Sequence, residues 1–143
     1  MTSAQFSSAE RSFLNKVMQR ASLTDIYDAR DITTVVFRTL RDMMPAETSD
    51  RVEAGFSDED IAQLWKKDNP IVNVLRNFRS PLDIDTETFL RRIRQEAGVP
   101  KGVTAEAVVI AVFSAVREEL PAEQAQDIAN ILPDGLKVMW EQI

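Results

Sequence analysis

The sequence contains no cysteine and no histidine. Without cysteine there is no disulfide, no thiolate metal ligand and no thiol nucleophile. Without histidine, the side chain whose unperturbed pKa lies nearest neutrality is missing, so acid–base chemistry would need a strongly shifted carboxylate or lysine. The two absences together remove the usual zinc and copper ligand sets and leave only carboxylate sites for hard cations. The four glycines, Gly55, Gly98, Gly102 and Gly135, are scattered, which excludes a phosphate-cradling loop and a dinucleotide fingerprint. A nucleophile elbow is also missing, and Lys16, Lys66, Lys67, Lys101 and Lys137 show no pattern that would activate a serine or threonine. No apolar run approaches the roughly 18 residues of a membrane span. The stretch from Met1 to Arg11 is polar and lacks signal-peptide form. These absences lead to the expectation of a cytoplasmic protein that is not an enzyme, with no catalytic residues, no cofactor, no metal and no membrane contact.

What is present is ordinary globular composition: 143 residues, 44% hydrophobic and 28% charged. A chain of that length buries about 70% of its unfolded surface, enough for one core without a covalent staple.

Sliding the sequence along itself by 76 positions brings Phe13 onto Phe89, Leu14 onto Leu90, Gln19 onto Gln95 and Ala21 onto Ala97. Further on, Phe37 meets Phe113, Arg41 meets Arg117, and Pro45-Ala46-Glu47 meets Pro121-Ala122-Glu123. One residue is dropped after Asp58 and Asp134, after which Ile61 falls on Leu136, Leu64 on Met139 and Trp65 on Trp140. Matched aromatics, prolines and apolar phase over this length indicate an internal repeat. The expected organisation is a first helical repeat over residues 7–67, a connecting helix and linker over 68–84, and a second repeat over 85–143.

Each repeat reads as four helices. In the first, Ser7 and Glu10 have the form of a capping box, followed by Phe13, Leu14, Val17, Met18 and Ala21 at helical spacing. Asp28 is the expected N-cap of a second helix carrying Ile32, Val35, Val36, Leu40 and Met43. A third helix is expected to begin at Pro45, as a first-turn proline, with Val52 and Phe56 inward. Ser57 with Asp60 is expected to open a fourth through Ile61, Leu64 and Trp65. In the second repeat, Asp85 or Thr86 starts a helix with Phe89, Leu90, Ile93 and Ala97, ended by Gly98, Pro100 and Gly102. Thr104 caps the next, whose stripe is Val108, Ala111, Val112, Ala115 and Val116. Pro121 and Pro133 open the last two, with Ala125, Ile128 and Leu132, then Leu136, Met139 and Trp140. Pro70 is expected to start the connecting helix through Ile71, Val74, Leu75 and Phe78. The second helices are rich in Val and Ile, but Ala105 to Val116 lacks the strict alternation of a half-buried strand. The fold class is therefore all-α, a tandem duplication of a helical-bundle unit packed into one compact domain of about nine helices.

The Asp28-Ala-Arg-Asp31 helix, the Pro121-Ala-Glu123 turn and the Leu132-Pro-x-Gly-Leu-x-x-x-Trp140 ending resemble a bacterial family known as domain of unknown function 2267, in the form of its stand-alone cyanobacterial members. The resemblance runs from about Phe13 to Trp140. It implies a small helical bundle and supplies no catalytic or binding residues to carry over. The first repeat departs from the pattern in having Ser57 where the second has Pro133, and in lacking a counterpart of Gly135.

Candidate contact residues come from charge and aromatics. Residues 1–65 hold 7 basic and 11 acidic side chains, residues 66–101 hold 8 and 5, and residues 102–143 hold 2 and 7. The basic middle, Lys66, Lys67, Arg76, Arg79, Arg91, Arg92, Arg94 and Lys101, would attract an anion, a nucleic acid or an acidic protein, or else neutralise the acidic faces of the two repeats. A net charge of −6 opposes nucleic-acid binding. Trp65 and Trp140 serve either as partner anchors or as the closing residues of each core. Arg41 and Arg117 occupy matching places near helix C-termini, suited to the helix dipole or to an anion. Asp58, Glu59 and Asp60, and Asp83, Asp85 and Glu87, are acidic clusters, but the second fails as a calcium loop at Thr88 and Arg94. The expected function is non-catalytic protein–protein contact with a protein partner or by self-association. Anion or nucleic-acid binding through 66–101 is the alternative, and an enzyme pocket between the repeats a more remote one.

Overall fold

The computed structural model describes residues 6–67 and 80–142. Helix α1 (Ser8–Ala21) starts at a complete capping box: the Glu10 N–H donates to Ser7 Oγ at 3.1 Å, and the Glu10 carboxylate accepts from the Ser7 N–H. It ends at Ser22, a non-glycine residue in the left-handed region with φ of 59°. Helix α2 (Ile26–Asp42) begins three residues earlier than the sequence suggests. Its N-cap is Asp25, which accepts from the Tyr27 N–H at 2.8 Å, while Asp28 lies in the first turn. Both aspartates suit the positive end of the helix, and the earlier start places Ala29 inside the core.

Helix α3 (Ala46–Gly55) follows Pro45, which occupies the N-cap position and not the first turn. Pro121 and Pro133 do the same before α7 (Ala122–Ile131) and α8 (Asp134–Glu141). In all three the backbone is extended, a conformation that proline's fixed φ permits. Helix α4 (Glu59–Lys66) is capped by Asp58 and not by Ser57, because the Asp58 carboxylate reaches the N–H groups of Asp60 and Ile61 at 2.9 and 3.3 Å. Asp85 caps α5 (Thr86–Glu96) and Thr104 caps α6 (Ala105–Glu119) as expected. Gly98 and Gly102, at φ of 63° and 87°, turn the chain between those two helices. Eight helices and no strands are present among the described residues. The expected connecting helix from Pro70 to Phe78 lies outside them.

The matching landmarks pack alike. Phe13 and Phe37 have ring centroids 6.3 Å apart, as do Phe89 and Phe113. Phe37 meets the edge of Trp65 at 5.2 Å, and Phe113 meets Trp140 at 5.1 Å. Phe56 adds a further ring to the first set, where the equivalent position in the second is Leu132. One continuous core joins both four-helix halves. Its middle is formed by α2 and α6, which pack on each other and bury Val36, Phe37, Val109, Val112 and Phe113 completely. A helix apolar nearly all round, as α6 is, is stable only when enclosed.

The halves meet through α1 on α6, α5 on α2, α2 on α6 and α3 on α7. The first two contacts exchange on swapping the halves, and the last two map onto themselves. That is the contact pattern of a two-fold arrangement. It is unequal in extent, since α1 lies on α6 over a longer stretch than α5 on α2.

Candidate functional site

The seam between the halves is lined by charge. On one side Lys16 pairs with Glu118 at 2.9 Å, and Arg20 donates to Ser114 Oγ at 2.7 Å and to Glu118 at 2.6 Å. These bonds hold the Glu118 carboxyl below its ordinary range, the Lys16 bond first and Arg20 second. On the other side Arg92 pairs with buried Asp42 at 3.1 Å, and Arg38 pairs with Glu96 at 2.8 Å. Arg51 of α3 faces Asp127 of α7 at 3.3 Å.

Several sequence candidates are absorbed into this framework. Trp65 is fully buried and Trp140 nearly so, so both close the core of their halves and neither is open to a partner. Arg41 is buried and donates to the Lys67 carbonyl at 3.1 Å, and Arg117 donates to the Trp140 carbonyl at 3.0 Å. Each arginine thus sits at the C-terminal end of the last helix of its half, α4 or α8, where a cation is favoured by carbonyls left without helical partners. Arg117 also lies over the Trp140 ring, 5.7 Å from its centroid.

The basic middle divides. Arg92 belongs to the seam, and Lys66 pairs with Glu53 at 3.3 Å. Arg91 and Arg94 are exposed, Arg91 bonded only to Thr88 of its own helix among the described residues. Arg76 and Arg79 lie outside the described residues. The acidic clusters serve helix starts: Asp58 and Asp85 are N-caps, and the Thr88 N–H holds the Asp85 carboxyl below its ordinary range. Among the described residues no group of three or more carboxylates is placed to hold a metal ion. No described helix is long and apolar enough to cross a membrane.

Two of the surface clefts are lined by described residues. One, of about 420 Å³, lies where α2 meets the end of α5, with Asp31, Thr34, Arg38, Lys67 and Glu96 in its wall. The Arg38–Glu96 pair forms part of its wall. The other, of about 340 Å³, is lined by Met43, Pro81, Leu82, Ile84, Ile131, Leu132 and Pro133, with Asp83 the one polar member. Its near wall is fixed by the Leu82 N–H donating to the Asp42 carbonyl at 2.7 Å, which ties the chain before α5 to the end of α2. Leu82 is 39% exposed, and Asp85 and Asp134, adjacent in sequence to the lining, are exposed carboxylates. The result is an open cleft with mostly apolar side chains, polar backbone and Asp83 in its exposed surface, and further carboxylates next to it in sequence. Sequence reading missed it because Leu82 falls in the segment assigned to a linker, and because its walls come from α2, α7 and the approach to α5.

Fold and surfaces together define an all-α protein of two similarly packed four-helix halves joined through one continuous apolar core, with charged pairs along its edges. The chain belongs to the family described as Uncharacterized conserved protein (DUF2267), whose sequence model matches residues 10–139. No curated protein matches the sequence.

Proposed function

We propose that this protein is non-catalytic and acts by contact with another protein, received in the cleft at Leu82. The carrying observation is the cleft itself: seven of its eight lining side chains are apolar, yet Leu82 at its edge stays in contact with water. A cleft of this make-up takes an apolar anchor, since anchor residues in desolvated pockets supply most of the energy of protein interfaces. Asp83, Asp85 and Asp134 around it, on a chain of net charge −6, favour an anchor flanked by lysine or arginine.

The reading is tested by selecting peptides from a displayed random library on the intact protein. Support would be binders with one bulky apolar residue between cations, weakened at least about tenfold by Leu82→Asp or Ile131→Arg, a loss of roughly 1.4 kcal/mol or more. Binders without basic flanks, or binding that neither substitution changes, would remove the proposal.

Exposed Arg91 and Arg94 favour a second reading, anion or nucleic-acid binding along α5. It requires salt-sensitive binding lost when Arg91, Arg92 and Arg94 are replaced together by alanine. Absence of any mobility shift with oligonucleotides at low salt ends it.

A further inference from the structure

The seam pairs obey the 76-residue relation that links the two halves. Lys16 and Glu118 correspond to Arg92 and Asp42, so one cation-to-acid contact from the first helix of one half to the second helix of the other occurs twice. Arg20 and Ser114 correspond to Glu96 and Arg38, so a second contact also occurs twice, with its donor reversed. Arg51 and Asp127 are themselves 76 positions apart and touch each other. A residue that meets its own counterpart lies on the two-fold axis of the arrangement.

We propose that the contact between the halves is a self-recognition surface carried twice in one chain: each half binds a unit of its own kind, and the charges at 38 and 96 and at 51 and 127 decide which units pair. The proposal does not rest on the cleft at Leu82. In a first-with-first pairing, Arg38 would face Arg20 on both sides of the axis and Arg51 would face Arg51. In a second-with-second pairing, Asp127 would face Asp127. Only first-with-second places opposite charges at the axis and a partnered arginine on each side. Like-charge juxtaposition of this kind rejects wrong partners more effectively than the matched pairs strengthen the right one.

The relation makes a demand that an ordinary salt bridge does not. Replacing Glu96→Arg together with Arg38→Ser would copy the first side onto the second: the new guanidinium would meet the introduced hydroxyl and Asp42 as Arg20 meets Ser114 and Glu118. The experiment is thermal unfolding of the full chain at low ionic strength. Glu96→Arg alone sets an arginine against both Arg38 and Arg92, the two cations that pair with Glu96, and lowers Tm by about 2–4 °C. Adding Arg38→Ser returns Tm to within about 1 °C of the parent, and adding Arg38→Ala, which relieves repulsion without supplying the hydroxyl, returns about half as much. Equal recovery with serine and alanine, or none with either, overturns the equivalence of the two sides. For the axis, Arg51→Asp lowers Tm and a second change, Asp127→Arg, restores it. A double variant no more stable than the single one overturns the assignment of that pair.

Discussion

The indole N–H of Trp65 donates to the backbone carbonyl of Ser49 at 3.1 Å, and Ser49 Oγ lies 3.3 Å from the same nitrogen. This bond ties α4 to α3 inside the core of the first half. The counterpart of Ser49 in the second half is Ala125, so Trp140 is held by packing and by Arg117 instead. Trp65→Phe should cost about 1–2 kcal/mol, from the lost hydrogen bond and part of the ring. Trp65→Ala should cost about 3–5 kcal/mol, because it empties space between Phe37 and Phe56. Urea denaturation of both variants checks the order. Equal losses would show that the ring volume phenylalanine retains contributes nothing, and that the indole N–H and the missing part of the ring account for the whole effect.

Thr33 is fully buried in α2, and its hydroxyl makes no hydrogen bond. The counterpart in α6 is Val109, equally buried. A buried hydroxyl without a partner carries a desolvation cost of about 1–3 kcal/mol, and valine matches threonine in shape. Thr33→Val should therefore stabilise the protein by about 1 kcal/mol, a rise in Tm of about 2–4 °C at this chain length. An unchanged or lower Tm by scanning calorimetry would contradict this.

Gly135 permits a close approach of α8 to the start of α5. A Cβ there would lie 2.7 Å from Thr86 Oγ1 and 2.9 Å from its Cγ2. The branched Thr86 side chain has little freedom to withdraw. Gly135→Ala should destabilise by about 1–2 kcal/mol despite alanine's higher helix propensity. Thr86→Ala in the same chain should return most of that loss, and chemical denaturation of the pair measures it.

The corresponding place in the first half holds Glu10 of α1 near Asp60 of α4. Partial burial, then repulsion from Asp60, raise the Glu10 pKa, against the Ser7 backbone hydrogen bond, Arg30 and Lys67, which lower it. A carboxyl whose folded pKa is raised contributes stability below its unfolded value near 4.5, lost as pH rises through the folded value. Glu118 has the opposite sign: its depressed pKa stabilises above about 4.5, and that gain disappears as pH falls through the folded value. Glu10→Gln, which keeps the capping acceptor, should raise Tm at pH 7 and leave it unchanged near pH 3. Glu118→Gln should lower Tm at pH 7 and have little effect near pH 3. Thermal melts across pH 3–7 distinguish the two.

Local chemistry made much of the fold legible. Helix positions followed from apolar spacing and from caps such as Ser7, Asp85 and Thr104, because these depend on residues three or four apart. Caps were misplaced where two acceptors compete within one turn, as at Asp25 and Asp28 or Ser57 and Asp58. There the cap is the acceptor that reaches the free N–H groups of the first turn, as Asp25 reaches Tyr27 and Asp58 reaches Asp60 and Ile61. The candidate surfaces were less visible, since Met43, Leu82 and Ile131 are distant in sequence and no local pattern links them.

Residue order alone is enough for the helical class, for the absence of thiol and imidazole chemistry, and for the correspondence of Phe and Pro landmarks at 76 residues and of the two Trp at 75. How the halves meet emerged only from long-range packing: α1 on α6, α5 on α2, with Arg92 at Asp42 and Arg51 at Asp127. Periodicity reports which face of a helix is buried. It carries no information about which other helix does the burying, because apolar stripes are interchangeable and only packing and charge pairing between distant segments select among them.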